Sequence, residues 1–192
     1  MNQKTAMKLF GLLGLLMLLS CGYADRHRNN SSCEQVLVDS LEVRVQDSLF
    51  SNVHYSRSQV LDALTQAQDS QVYYRLLALY GKTFFVSSDF DSILYYNRRV
   101  KEFSRNASQS SESLQSPRWN DVLSDVYNIE GNVWMQLNRP DSAIIDYKKA
   151  YGYRLEGKKL HLLPDICINI ADAYLHRSDL AHTASYYRRA LF

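Results

Sequence analysis

The chain has 192 residues, 46% apolar and 12% aromatic, with 14 Tyr but only three Pro and seven Gly, a balance that favours helices over a loop-rich scaffold. Its 22 Lys+Arg face 20 Asp+Glu; setting aside Lys4 and Lys8 of the leader leaves 20 against 20, so the overall balance suggests neither nucleic acid nor a polyanionic substrate. No Gly-rich phosphate loop, H-E-x-x-H or G-x-S-x-G elbow occurs, so no catalytic residue, cofactor or metal is expected.

Met1–Cys21 reads as an export signal. Lys4 and Lys8 form a positive start, and Leu9–Leu19 is an apolar run of 11 residues, well short of the ~20 that a membrane-spanning helix needs. The run ends in Leu18-Leu19-Ser20-Cys21, which resembles a bacterial lipobox. The resemblance implies removal of residues 1–20, a diacylglycerol on the Cys21 thiol and an acylated amine, which together anchor a chain almost permanently. An ordinary secretory signal with an incidental Cys, or an uncleaved anchor, are the alternatives. Because Gly22 rather than Asp follows Cys21, lipoprotein sorting by analogy implies the outer membrane, facing the periplasm. Residues 21–32 are polar and read as a flexible tether, in which Arg26-His27-Arg28 is either solvated or near anionic headgroups.

Residues 33–70 read as a helical pair, a degenerate repeat or cap. Val36-Leu37-x3-Leu41-x3-Val45-x3-Leu49 has helical spacing, as has Val60-Leu61-x2-Leu64-x2-Ala67, with Ser56 or Ser58 as its N-cap. Asp39, Glu42 and Asp47 show no partner pattern and read as a solvated face. Cys33 could pair with Cys167 after export; a buried free thiol at Cys167 is the reading that its packing position favours.

From residue 71 onward a pattern recurs. Tyr127, Gly131, Trp134 and Leu137 share a helical face, Asn138-Arg139-Pro140-Asp141 breaks the helix, and Ala143, Tyr147 and Ala150 carry the next one. Leu77, Gly81 and Phe84, then Ser88-Asp89, then Ile93, Asn97 and Val100 form an earlier copy. Cys167, Ala171 and Tyr174, then Ser178-Asp179, then Thr183, Tyr187 and Ala190 form a later one. Each small residue, Gly81, Gly131 or Ala171, reads as a point of close helix approach.

These copies resemble the tetratricopeptide (TPR) signature over residues 71–192. The departures are Glu130 at a usually apolar position, Asn97 at an aromatic one, and Ile93 and Thr183 in place of Ala. The resemblance implies an all-α fold, a right-handed superhelical array of about three antiparallel helix hairpins. The copies are 50 and 40 residues apart, against about 34 in the family, so helices or connections are longer; a Ser-rich loop at 104–120 is expected to hold the first excess.

In TPR proteins the first helices line a concave groove. Carried over residue by residue, the groove positions are Arg75, Ala78, Lys82 and Phe85, then Asp125, Asn128, Asn132 and Met135, then Asp165, Ile168, Asp172 and Leu175. Lys82, Asn128 and Asn132 partly match a clamp for a terminal carboxylate, but Asp172 and Ile168 replace its further basic groups, so a peptide or protein partner of mixed chemistry is expected instead. The resulting expectation is a non-catalytic, lipid-anchored scaffold of the cell envelope. The alternative is the input region of a bacterial signalling or transcriptional regulator that continues past Phe192.

Overall fold

In the computed structural model, which describes residues 35–109 and 116–191, three non-glycine residues adopt left-handed backbone angles: Ser88, Asn138 and Ser178, with φ of 53°, 54° and 60°. Each lies seven residues after the small residue of its copy. At each site a helix ends in the same way. The Asp89 N–H donates to Phe84 O (3.2 Å), Arg139 to Trp134 O (2.8 Å) and Asp179 to Tyr174 O (3.0 Å), while Ser88, Asn138 and Ser178 donate to Phe85 O, Met135 O and Leu175 O. This is a Schellman closure, and it satisfies carbonyls that a helix end leaves bare.

These turns define three hairpins of matching register. Residues 35–48 form helix α1, Val53–Gln66 α2, Ser70–Lys82 α3, Phe90–Gln109 α4, Pro117–Gln136 α5, Pro140–Leu155 α6, Leu163–His176 α7 and Leu180–Ala190 α8, with a 3₁₀ turn at Leu160–Leu162. Helix starts carry side-chain caps: Asn52 for α2, Asp69 for α3, Ser116 for α5 and Asp179 for α8. α6 instead begins with Pro140, whose missing N–H costs nothing in a first turn. The described residues contain no strand.

Packing is local along the chain. α1, α2 and α3 share a cluster of Val38, Leu41, Val45, Val60, Val72 and Leu76. Leu77, Val100, Trp119, Val122 and Val126 join α3, α4 and α5; Ile144, Tyr147, Ile166 and Ile170 join α6 to α7. Such a chain of small cores lets each hairpin bury its apolar face mainly against its neighbours.

Several expectations change. The loop at 104–120 shrinks, because 104–109 continue α4 and Pro117 begins α5; Trp119 is buried against Phe103 and donates through Nε1 to Ser104 Oγ (3.0 Å), which holds both helix ends in place. The extra length therefore sits largely in the 20-residue helices α4 and α5. In α1 the buried stripe is Val38, Leu41, Val45 and Leu49, leaving Val36 and Leu37 exposed. α2 is capped by Asn52, and Ser56 is buried inside it, sharing a hydrogen bond with Ser48. Leu137 is exposed, and Val133 takes the buried position. The leader, Cys21, the tether to residue 32 and Cys33 lie outside the described residues. No described helix is long and apolar enough to cross a membrane.

Candidate functional site

The backbones of the first helices α3, α5 and α7 approach within 8 Å (Cα to Cα) in succession, whereas those of α4 and α6, and of α6 and α8, do not. The first helices thus form one continuous layer, on which the expected groove positions fall. Most of their side chains have partners within the chain.

Arg75 is buried under α1: Nε donates to Glu42 Oε1 (2.8 Å), Nη1 to Gln35 Oε1 (3.0 Å) and Nη2 to Asp39. Lys82 donates to Gln46 (3.2 Å). Phe85 packs half-buried against the Ile93, Ile129 and Val133 cluster, and Met135 against the α6/α7 core. Asp125 accepts from Arg154, and Asn128 from Asn169 of α7 (3.0 Å). Asn132 accepts from the Tyr147 hydroxyl (2.7 Å) and Asp172 from the Tyr187 hydroxyl. Asp165 is exposed at the start of α7, and Ile168 and Leu175 are 41% and 47% exposed on the same helix. The α3 end of the layer is therefore covered by α1, and the α7 end is open.

The packing positions are ordered differently. Gly81, Gly131 and Ala171 are buried. A Cβ on Gly131 would fall 2.9 Å from Tyr147 Cζ and closer to two other ring atoms, so this glycine makes room for the Tyr147 ring. Ala143 and Tyr147 are fully packed, Tyr174 nearly so, and Phe84 and Trp134 half. Tyr187 stays 36% exposed, since no helix of the described chain lies over α8 on that side.

Two charged clusters tie helices together, the first across the first helices and the second from α5 to α4 and α6. In the first, Asp39 and Glu42 are anchors rather than solvated residues: Asp39 also accepts from Arg118 (2.8 Å), and Glu42 from Lys159 Nζ (2.9 Å). The Lys158 and Lys159 backbone N–H groups donate to Asp121 (2.9 and 3.1 Å), which also takes Arg154 Nη1 (2.7 Å). One connected network therefore runs from α1 through α3 and α5 to the loop before α7. Burial pushes the Asp39 and Glu42 carboxyls up, but the Arg75 bonds and the neighbouring Arg118 and Lys159 charges outweigh it and hold both below their ordinary values. Arg154 is 1% exposed, and its Nε has no partner.

In the second cluster Glu130 is buried, with Lys101 Nζ 2.7 Å from both carboxylate oxygens. Lys101 and Lys149 lie 5.2 and 5.0 Å from the Tyr127 ring centre, and Asp146 accepts from Lys149 (3.0 Å) and Trp134 Nε1 (2.8 Å). Burial raises the Glu130 carboxyl, and Lys101 only partly offsets it. Glu130 thus keeps a polar residue at an apolar repeat position by pairing it across hairpins.

The ion pairs between different elements in these clusters stand 29 to 117 positions apart along the chain, which spacing does not reveal. A readable signal existed in α1, where Gln35, Asp39, Glu42 and Gln46 form a polar stripe at helical intervals. Among the described residues no group of three or more His, Cys, Asp or Glu could hold a metal ion, and Cys167 is a free, buried thiol. His182 bonds Asp179 and stacks on Tyr174. An open cavity of about 380 Å³ lies between Gln35, Gln71, Ser116, Arg118 and Lys158. Compared with known proteins, the chain matches no family model, no curated protein and no solved structure.

Proposed function

We propose that the protein is a non-catalytic binding scaffold, a TPR-like array of hairpins that holds a protein or peptide segment on its first-helix layer. The observation that carries this reading is the contact pattern: first helices touch in succession while second helices α4, α6 and α8 do not, and an array built so curves with its first helices inside. The matching Schellman turns and small residues support a true repeat. With α1 over Arg75 and Lys82, the open part of the layer lies on α5 and α7, where Ile168 and Leu175 offer apolar contact beside Asp165 and Asn128. That mixture suits an extended or helical segment with apolar anchors and at least one cation. The Cys21 lipid would hold the scaffold on the cell envelope, most simply the outer membrane.

The test is site-specific photocrosslinking in cells. A crosslinker at Ile168 or Leu175 should give the same discrete adduct, lost when the other position is changed to Glu. A crosslinker at Ile145, on the second-helix side, should not give it. Absence of an adduct at both open positions would overturn the reading.

A further inference from the structure

A chain with a formal net charge of only +2 can still be strongly polarised. The first helices α1, α3, α5 and α7 carry four Lys/Arg against eight Asp/Glu, whereas the second helices α2, α4, α6 and α8 carry ten against five. The excess is placed in register. Arg98-Arg99, Lys148-Lys149 and Arg188-Arg189 recur 50 and 40 residues apart, the spacing of the small residues, so each of the three hairpins puts a basic pair at the same point of its second helix.

The first member of each pair, Arg98, Lys148 or Arg188, is exposed, and among the described residues none has a carboxylate partner. Lys148 donates to the Tyr174 hydroxyl (2.9 Å), and Arg188 to the Ala184 carbonyl of its own helix. One helical turn before the basic residue stand Tyr95, 52% exposed, and Ile145, 57% exposed. Of the acids nearby, Asp91 on α4 and Asp141 on α6 are in the first turns, where Asp141 pairs with Arg177; Asp146 is buried and pairs with Lys149, and Glu102 is exposed one turn after Arg98. The cavity described above lies at the starts of α1, α3 and α5, away from these rows.

We infer that the second-helix layer is a docking surface for an anionic phospholipid membrane, which the Arg98, Lys148 and Arg188 rows contact while Tyr95 and Ile145 enter the headgroup region. Aromatic and aliphatic side chains among cations form an interfacial surface, adding apolar burial to electrostatic attraction. The charge separation between layers also sets direction, since a planar negative surface attracts the second helices and repels the first. The three basic residues are exposed on successive second helices, so an extended surface is the better fit. Docked this way, the scaffold would turn its first-helix layer away from the membrane. The inference stands on the charge rows and does not need the binding role proposed above.

The experiment is vesicle flotation of the full chain on phosphatidylglycerol-containing and on pure phosphatidylcholine vesicles, at low and high salt. An acyl chain or leader adds equally to both, so the ratio of the two partition coefficients isolates the charged layer. The expected ratio exceeds tenfold at low salt, collapses at high salt, and falls at least fivefold in a variant carrying Arg98→Gln, Lys148→Gln and Arg188→Gln with unchanged helical circular dichroism. The Tyr95→Ser, Ile145→Ser pair should lower binding without changing the salt slope. A ratio near one, or one untouched by the triple substitution, overturns the inference. So does displacement from vesicles by soluble polyglutamate at equal charge, because it would make the layer a site for acidic protein.

Discussion

The first hairpin, α3 and α4, and the middle hairpin, α5 and α6, share register and turn, yet they are fastened in opposite ways. The middle hairpin closes on itself. Tyr147 covers Gly131 and donates to Asn132, Ser124 Oγ donates to Ala150 O (2.9 Å), and Arg154 at the end of α6 reaches back to Asp121 and Asp125 of α5. At matching positions the first hairpin reaches outward. Asn97, in the place of Tyr147, donates to Val126 O of α5 (3.2 Å), and Ser104, in the place of Arg154, accepts from Trp119 of α5. Its interior is filled instead by the stacked rings of Phe84 and Tyr96, with Tyr80 edge-on to both and Arg57 of α2 over Phe84. The middle unit therefore keeps more of its polar fastening within itself, and the first sends more of it to its neighbour.

The largest effect is expected from the middle hairpin's lock. Arg154→Met leaves the carboxylate of Asp121, which is 4% exposed, with its two backbone N–H donors but without its counter-charge, and should cost ~3–5 kcal/mol in urea denaturation. Ser104→Ala, its counterpart, removes one neutral bond and should cost ~1 kcal/mol. Equal losses would mean that the two hairpins are fastened alike.

Next in size is the test of the close contacts. Gly131→Ala drives a methyl into the Tyr147 ring and should cost ~1–3 kcal/mol after a helix-propensity gain of ~1 kcal/mol. Gly81→Ala is crowded by Tyr96 Cβ at 3.0 Å and meets Asn97 Oδ1 and Tyr96 Cδ2 at ordinary contact distance, so crowding and propensity should nearly cancel. Thermal midpoints of the two variants decide it, and a Gly81 variant as unstable as the Gly131 variant would refute the difference.

The smallest effect separates the charged clusters by pH. Glu130 is raised above its ordinary 4.5, so the folded state favours its proton, and the cost of the buried carboxylate is relieved as pH falls through the raised value. Glu42 is lowered; its contribution is full above 4.5 and lost as pH falls through its folded value. Wild type should therefore gain on Glu130→Gln as pH falls from neutral towards 4.5, and lose its advantage over Glu42→Gln below it. Parallel curves for both substitutions would contradict these shifts.

The comparison also marks how far the sequence could be read. Hairpin register was legible because Gly81, Gly131 and Ala171 sit at fixed distances before the helix-breaking turns, and local chemistry decides a turn. The groove residues were legible as positions but not as free side chains. Asn132 and Asp172 look like open polar groups until Tyr147 and Tyr187, 15 residues on, come back across the hairpin to bond them. Arg75 looks like a ligand cation until α1 folds over it. Long-range pairing of this kind leaves no trace in spacing. The basic rows were readable, since the pairs recur with the repeat, but a single sum over the chain cancels them against acids in the other layer.

Cys167 sits 1% exposed under the last hairpin, its thiol pushed up by burial. A thiol reagent can reach it only when the packing around it opens, so its modification rate is a clock for that opening. A ligand seated across α5 and α7 would slow the clock, and one bound elsewhere would not. The molecule carries its own stopwatch for occupancy, readable by mass spectrometry of a single peptide.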